Sequence, residues 1–328
     1  MLRVAVIGPG WIGRRHLELL SSEDGVELVG VVGRSIDATG EAAARFGGRP
    51  YADVEAMLDH ERPDAVWVCV PPDGHGALER LLLDRGVHLF IEKPLAADLE
   101  TPEVIARAVA ASDLVVGVAY HWRALDTLHA VEDTLAGRPV RLVVGAWHDS
   151  LPGTAWWRVH RKSGGQLVEQ ATHIVDLSRR LVGEARVMAA TADRHPNPAH
   201  PSMDVADVTT ALLRYEGGAA GTFTATCILE TPGPRELRLI ADGLEIAISE
   251  SGVTFEGSAT GPNAAARRIP TGNDPYREEN RVFLAAIRSG DKSQLLSTYA
   301  DALATHRLTT AIRAAAEASP PAGELRPR

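Results

Sequence analysis

An α/β fold is what the sequence predicts: a doubly wound parallel sheet at the N-terminus, then a second α/β domain with mostly antiparallel strands. Three observations carry it. Short β-branched runs alternate with helical stretches up to about residue 120, and a glycine-rich turn joins the first run to the first helix. From about Arg138 the texture changes to strand-like runs, several of them joined by Gly-containing turns. A chain of 328 residues exceeds the size at which one core usually stops growing, so two domains are expected, at 1–122 and 123–328.

The elements follow in order. Residues 2 to 7, LRVAVI, read as a strand, and the WIGRRHLELL that follows reads as a helix. A second run at 26 to 33, VELVGVVG, precedes an Ala-rich helical stretch around Ala42 to Phe46. DAVWVCVPP and VHLFIEKP supply two further strands with the helix HGALERLLLDRG between them, and LVVGVAY at 114 to 120 supplies the last. Apolar runs in this alternation belong to a parallel sheet covered by helices on both faces. In the second half RLVVGAWHD, DVTTALLRYEGGAAGTFTATCIL, RELRLIAD, LEIAIS and GVTFE read as antiparallel strands. Helices are expected from Gly165 to Leu181, near Arg277 to Arg288, and from about Thr298 to Ala318 before a Pro-rich tail that should fray. The last helix is placed to pack back on the first domain.

Composition narrows the function. With 45% hydrophobic and 23% charged residues the chain is globular, and a net charge of -9 with interleaved Lys and Arg argues against nucleic acid and for a small-molecule partner. The two cysteines, Cys69 and Cys227, sit in apolar, strand-like runs and suit buried thiols in a reducing compartment. The N-terminus MLRVAVIG lacks the apolar segment of a signal peptide and no run approaches a membrane span, so the cytoplasm is the expected location.

Gly8-Pro9-Gly10-Trp11-Ile12-Gly13 is G-x-G-x-x-G between a strand and a helix. In that context the first glycine permits a tight turn, the second lets backbone approach a pyrophosphate, and the third lets helix pack on strand. The anion then rests on the helix N-terminus. A Rossmann dinucleotide-binding domain is therefore expected, with Gly8, Gly10, Trp11, Ile12 and Gly13 at the cofactor. At the end of the second strand, Val32-Gly33-Arg34-Ser35 lacks the carboxylate that would bond the ribose of NAD and repel a 2′-phosphate. Gly33, Arg34 and Ser35 instead suit that phosphate, which favours NADP over NAD. The alternative is that Arg34 is a solvated loop cation and Asp37 reaches the ribose.

Two further segments carry chemistry. Phe90-Ile91-Glu92-Lys93-Pro94-Leu95 closes a later strand, and the carboxyl edge of an open parallel sheet is where ligands bind. Lys93 there can donate a proton or stabilise an alkoxide. The second segment, Ser163 to Asp176, reads as a glycine turn opening an amphipathic helix on which Glu169 and His173 are four residues apart and share a face, with Asp176 near the same stripe. His173 can shuttle a hydroxyl proton while the carboxylate orients it; a surface Glu–His pair is the structural alternative. No metal is expected, because E-x-x-x-H is not H-E-x-x-H and no third ligand has convincing spacing.

Taken together, the N-terminal GxGxxG, a V-x-x-P-P followed by His75, the EKP and the GG-x-x-x-acid-x-x-x-H segment resemble the Gfo/Idh/MocA oxidoreductase family over essentially the whole chain. The resemblance implies a second domain built on a large open sheet and dehydrogenation of sugars, polyols or related compounds. It matches Lys93, Glu169 and His173 to the catalytic lysine, acid and histidine; the acid is usually Asp, and here it is Glu169. It also implies cofactor contacts from Pro71, Pro72, His75, Glu92, Lys93 and His121, though His75 could equally start a helix. A homodimer or homotetramer by face-to-face sheet packing is implied as well.

Trp156, Trp157 and Arg158, just before the catalytic helix, either line the substrate pocket with aromatic faces and a cation or anchor a buried loop. Tyr276 is open in the same way. The leading expectation is reversible oxidation of a secondary alcohol, with His173 as general base and Lys93 stabilising the alkoxide. Two alternatives stand beside it: a non-redox glycoside hydrolase or lyase that uses tightly held nicotinamide transiently, and a non-catalytic dinucleotide sensor.

Overall fold

The computed structural model describes residues 1–257 and 266–319, so the Pro-rich tail lies outside the described residues. In chain order the first part alternates β1 (Leu2–Ile7), α1 (Trp11–Leu20), β2 (Val26–Val32), α2 (Ile36–Phe46), β3 (Arg49–Tyr51), α3 (Val54–Glu61), β4 (Ala65–Val68), α4 (Ala77–Asp84), β5 (His88–Glu92), α5 (Glu100–Ala110) and β6 (Val116–Ala119). There follow α6 (Leu128–Leu135), β7 (Val140–His148), α7 (His160–Ser163), α8 (Gln166–Glu169), α9 (Thr172–Val182), β8 (Ala185–Asp193), β9 (Val208–Tyr215) and β10 (Ala220–Thr226). The chain continues with β11 (Arg235–Ala241), β12 (Leu244–Ser249), β13 (Gly252–Gly257), β14 (Arg267–Pro270), α10 (Pro275–Ser289) and α11 (Tyr299–Glu317).

Two compact units result. The first comprises 1–96, 100–124 and 274–303, and the second 97–99, 125–273 and 304–328. In the first, β3-β2-β1-β4-β5-β6 form one sheet whose ladders are all parallel. The strand order reverses between β1 and β4, which makes the carboxyl ends of those strands the crevice of a doubly wound fold. β4 and β6 are buried at every position, as strands covered on both faces must be. The segment carrying α10 belongs to this unit for a physical reason: Phe283 packs edge-on to Trp67 at 5.3 Å and against Phe90 at 5.2 Å, and the Trp67 indole N–H donates to Asn280 Oδ1 at 2.9 Å. An amphipathic helix advertises an apolar face in sequence but not the sheet it will cover.

The second unit holds an eight-stranded sheet, β14-β13-β12-β11-β7-β10-β9-β8. It is mostly antiparallel, as expected, with one exception: β7 and β10 run parallel, because β11 and β10 flank β7 from opposite sides and only β11 opposes it. One face is packed, with Val143, Leu213, Phe223, Leu239 and Ile246 buried, while Leu142, Met188 and Leu212 on the alternate positions are exposed. The continuous helix expected from Gly165 to Leu181 is in fact two. α8 ends at Glu169, a wide turn closes with the Ala171 N–H donating to Gln166 O at 3.0 Å, and α9 then runs to Val182. That five-residue hydrogen bond is a π-type widening, a local departure from helical period that moves Glu169 and His173 off a common straight stripe. Among the described residues no helix is long and apolar enough to cross a membrane.

Candidate active site

The glycine turn of the first unit has the geometry its motif implies. Gly8 has φ +92°, and a Cβ there would stand 2.2 Å from the Cys69 carbonyl oxygen; one on Gly13 would stand 2.0 Å from Gly8 O. Those two glycines let β1, β4 and α1 close on one another. A Cβ on Gly10 would meet nothing within 4 Å, so the middle glycine faces open space. Gly10 also N-caps α1 with no side-chain hydrogen bond and no acid in the first turn, leaving the first N–H groups and the positive end of the dipole to an anion. A dinucleotide pyrophosphate fits this turn. Ile12 joins the apolar core beneath it, while Trp11 is 76% exposed and lies edge-on to Tyr276 at 6.5 Å.

At the end of β2, the Gly33 N–H donates to Tyr51 O at 3.1 Å, and a side chain at Gly33 would strike Thr39 Oγ1 at 2.4 Å. Arg34 and Ser35 are exposed, and Ser35 Oγ caps α2 by accepting from the Ala38 N–H at 3.4 Å. The sequence reading missed Arg14. Its guanidinium donates to Pro9 O at 3.2 Å and Ala38 O at 3.3 Å, which holds a second cation between the glycine turn and the start of α2.

Lys93 is half-buried immediately past β5, at the carboxyl edge of the sheet. Glu92 is turned inward: it is buried and its Oε1 lies 2.9 Å from His16 Nε2. Pro71 and Pro72 open a 3-10 turn after β4. His75 is buried beside it with Nδ1 2.6 Å from Glu79 Oε1, and the same carboxylate accepts the Gly76 N–H at 2.5 Å. His75 thus precedes Gly76, the N-cap of α4, and its Nε2 has no hydrogen-bond partner among the described residues. His121 is buried and stacks on Tyr276 at 4.2 Å, both within the first unit.

In the second unit His173 opens α9, is buried, and stacks on Trp147 at 5.7 Å with an interplanar angle of 26°. Arg235 sits 6.0 Å above the same Trp147 ring and 3.4 Å from Asp149. Trp147 went unremarked in sequence, because nothing local marks a strand tryptophan as the support of a distant imidazole. Glu169 Oε2 accepts the Trp157 indole N–H at 2.7 Å. Trp157 itself is 1% exposed in a small apolar cluster with Met203, Val205 and Cys227, against which Trp156 packs. Its ring face is thus covered, and its contribution is to hold the carboxylate. Arg158 donates to His200 Nε2 at 3.4 Å. Asp176 is buried, its Oδ1 accepts the Thr305 hydroxyl at 2.7 Å, and Thr305 Oγ1 in turn accepts from Arg179 at 2.7 Å.

Comparison with known proteins agrees with this architecture. The profile described as "Oxidoreductase family, NAD-binding Rossmann fold" matches residues 2–120, and the "GFO/IDH/MocA C-terminal domain" matches 127–246. The chain belongs to the GFO/IDH/MocA oxidoreductase family. It is an NAD(P)-dependent oxidoreductase acting on CH–OH groups. Among its relatives are an uncharacterized protein of Schizosaccharomyces pombe, 30% identical over 81% of this chain and 73% of that one. The 4-carboxy-2-hydroxymuconate-6-semialdehyde dehydrogenase of a Sphingobium strain is 25% identical over 88% of this chain and 91% of its own. The myo-inositol 2-dehydrogenase of Thermotoga maritima is 26% identical over 88% and 89%. Two solved structures share the fold at 20% identity, covering 96% of this chain and 97% of theirs. They are a 3-ketoreductase from Actinomadura kijaniata with NADP, at TM-score 0.84, and levoglucosan dehydrogenase with NADH, at 0.86.

Proposed function

We propose that this chain transfers hydride reversibly between NADP and a secondary alcohol or ketone of a sugar, polyol or related small molecule, with Lys93 as the catalytic lysine and His173 as the general base. The observation that carries the reading is Lys93, half-buried at the carboxyl edge of a parallel sheet whose glycine turn leaves Gly10 open to a ligand. Myo-inositol 2-dehydrogenase among the relatives supports the substrate class.

When bound, the nicotinamide accepts or returns the hydride. In the oxidation direction the role of the His173 imidazole is to take the hydroxyl proton, and that of the Lys93 ammonium is to stabilise developing alkoxide charge. Glu169, held at 2.7 Å by the Trp157 indole, is the acid that the family resemblance pairs with that histidine. Glu169 stands where the family resemblance implies Asp, so its longer side chain is anchored by a hydrogen bond rather than by brevity. For the cofactor, Arg34 just past β2 and Arg14 of α1 suit the 2′-phosphate, and Ser35 retains its hydroxyl proton for donation while its oxygen caps α2. The sheet face bearing Leu142, Met188 and Leu212 suits a second copy of the chain, which sedimentation velocity tests by the presence or absence of a dimer.

The test is a screen of sugars and polyols following reduced nicotinamide absorbance with both cofactors. On the substrate it identifies, Lys93→Ala should lower kcat by about 10²- to 10⁴-fold with cofactor affinity retained; near-normal turnover contradicts the assignment. Arg34→Ala should weaken NADP by about tenfold or more, the value of one lost charge-assisted contact, and leave NAD unchanged. A wild-type preference for NAD overturns the cofactor choice.

A further inference from the structure

In the first unit, three residues far apart in sequence form a buried cluster. His16 of α1, Glu92 at the end of β5 and Glu279 of α10 each place a potential ligand atom so that all lie within 4.8 Å of one another. They are 0%, 5% and 3% exposed. Two carboxylates side by side in a protein interior need protons, donors or a cation to offset their desolvation and repulsion. Glu279 has no donor: neither of its oxygens has a hydrogen-bond partner among the described residues.

Its neighbours fix the tautomer of His16. The Trp67 indole N–H can only donate, and it meets Asn280 at 2.9 Å, so the atom it meets is the amide oxygen. That oxygen is also 3.1 Å from His16 Nδ1, so Nδ1 carries a proton and donates it. Nε2 is then the ring nitrogen left to the carboxylates, and it lies 2.9 Å from Glu92 Oε1. An imidazole anchored through one donated N–H, with its other nitrogen turned toward carboxylates, is the arrangement that surrounds metal-binding histidines.

We infer that His16, Glu92 and Glu279 form a structural site for a divalent cation of the class that takes mixed imidazole and carboxylate ligands, such as Zn²⁺ or Mn²⁺. One neutral imidazole and two carboxylates balance a double positive charge, and an all-oxygen cation such as Ca²⁺ is disfavoured by the nitrogen. Three atoms within 4.8 Å of one another lie within about 2.8 Å of a common centre. Side-chain shifts of less than about an ångström then reach the ~2.0–2.2 Å bonds that zinc requires. The ion ties α1, whose N-terminus carries the glycine turn, and β5, whose next residue is Lys93, to α10. It takes no part in the hydride step. Sequence spacing gives no hint of it, because the ligands come from three separated elements.

The experiment uses the full-length protein, stripped with a chelator, exchanged into clean buffer, and titrated separately with ZnCl₂ and MnCl₂ by calorimetry, with metal content measured afterwards. The expected result is one bound equivalent per chain and a rise of a few degrees in Tm. Glu279→Gln, which keeps shape and folds with unchanged far-UV circular dichroism, should bind at least tenfold more weakly and lose the Tm rise. His16→Gln gives the same reading if the first variant does not fold. Wild-type protein that takes up neither metal, or a folded variant that binds as tightly as wild type, overturns the inference and leaves the cluster held by protons alone.

Discussion

The two units build their functional positions by different means. In the first, the ligand-facing surface is mostly backbone: the open Gly10, the uncapped start of α1, and the strand ends of a parallel sheet. In the second the candidate residues are buried or half-buried side chains that hold one another: Trp157 on Glu169, Trp147 on His173, Thr305 on Asp176 and Arg179. A backbone site is specified by a few local residues whose required geometry excludes other choices. A side-chain site is specified by packing between distant elements, and each partner alone looks ordinary.

The difference is sharpest within the glycine turn itself, where one substitution should break the fold and its neighbour only the binding. Gly13→Ala forces a Cβ to 2.0 Å from a backbone oxygen and should cost about 3 kcal/mol of stability or more by denaturant unfolding. Gly10→Ala meets nothing within 4 Å, so stability should stay within about 0.5 kcal/mol while nicotinamide affinity falls about tenfold or more. Equal destabilisation of the two variants would show that the turn is not divided between packing and binding in this way.

The second unit should respond more gently and in a different quantity. Trp157→Phe keeps the ring in its apolar cluster but removes the N–H that Glu169 accepts. Stability should fall by about 1 kcal/mol, and kcat by roughly tenfold with KM little changed. A loss confined to stability makes Trp157 a packing residue only.

Much of the first unit was legible because its signals are local. The runs at 2–7, 26–33 and 114–120 are apolar enough to stand as buried parallel strands, and the glycine spacing names its own geometry. What was illegible is equally specific. β8 escaped notice because it is an edge strand, Ala-rich and largely exposed, so its hydrophobic alternation is faint. The break between α8 and α9 has no glycine or proline to mark it, and the i, i+4 reading of Glu169 and His173 assumed an unbroken period. The placement of α10 rests on Phe283 and Asn280 meeting Trp67, a contact that no local pattern encodes.

The smallest expected effect compares one thiol from each unit. Burial first, then the charges of Glu92 and Glu279, raises the Cys69 thiol well above its usual value. Burial, then Asp207, pushes Cys227 up to about 12. At pH 8 a thiol of that pKa is ionised to about one part in ten thousand, so a disulfide reagent should label neither cysteine in the native protein and both after denaturation. Rapid labelling of one residue alone would identify the unit that opens locally.

The central claim is that Lys93, at the carboxyl edge of the parallel sheet, serves the reacting oxygen beside a nicotinamide lodged over the glycine turn. A crystal structure with NADP and the substrate found by the screen tests it most directly. The account predicts the pyrophosphate over Gly10 and Lys93 Nζ within hydrogen-bond reach of the reacting hydroxyl. A bound substrate whose reacting hydroxyl lies beyond reach of Lys93, or a cofactor lodged away from the glycine turn, contradicts it.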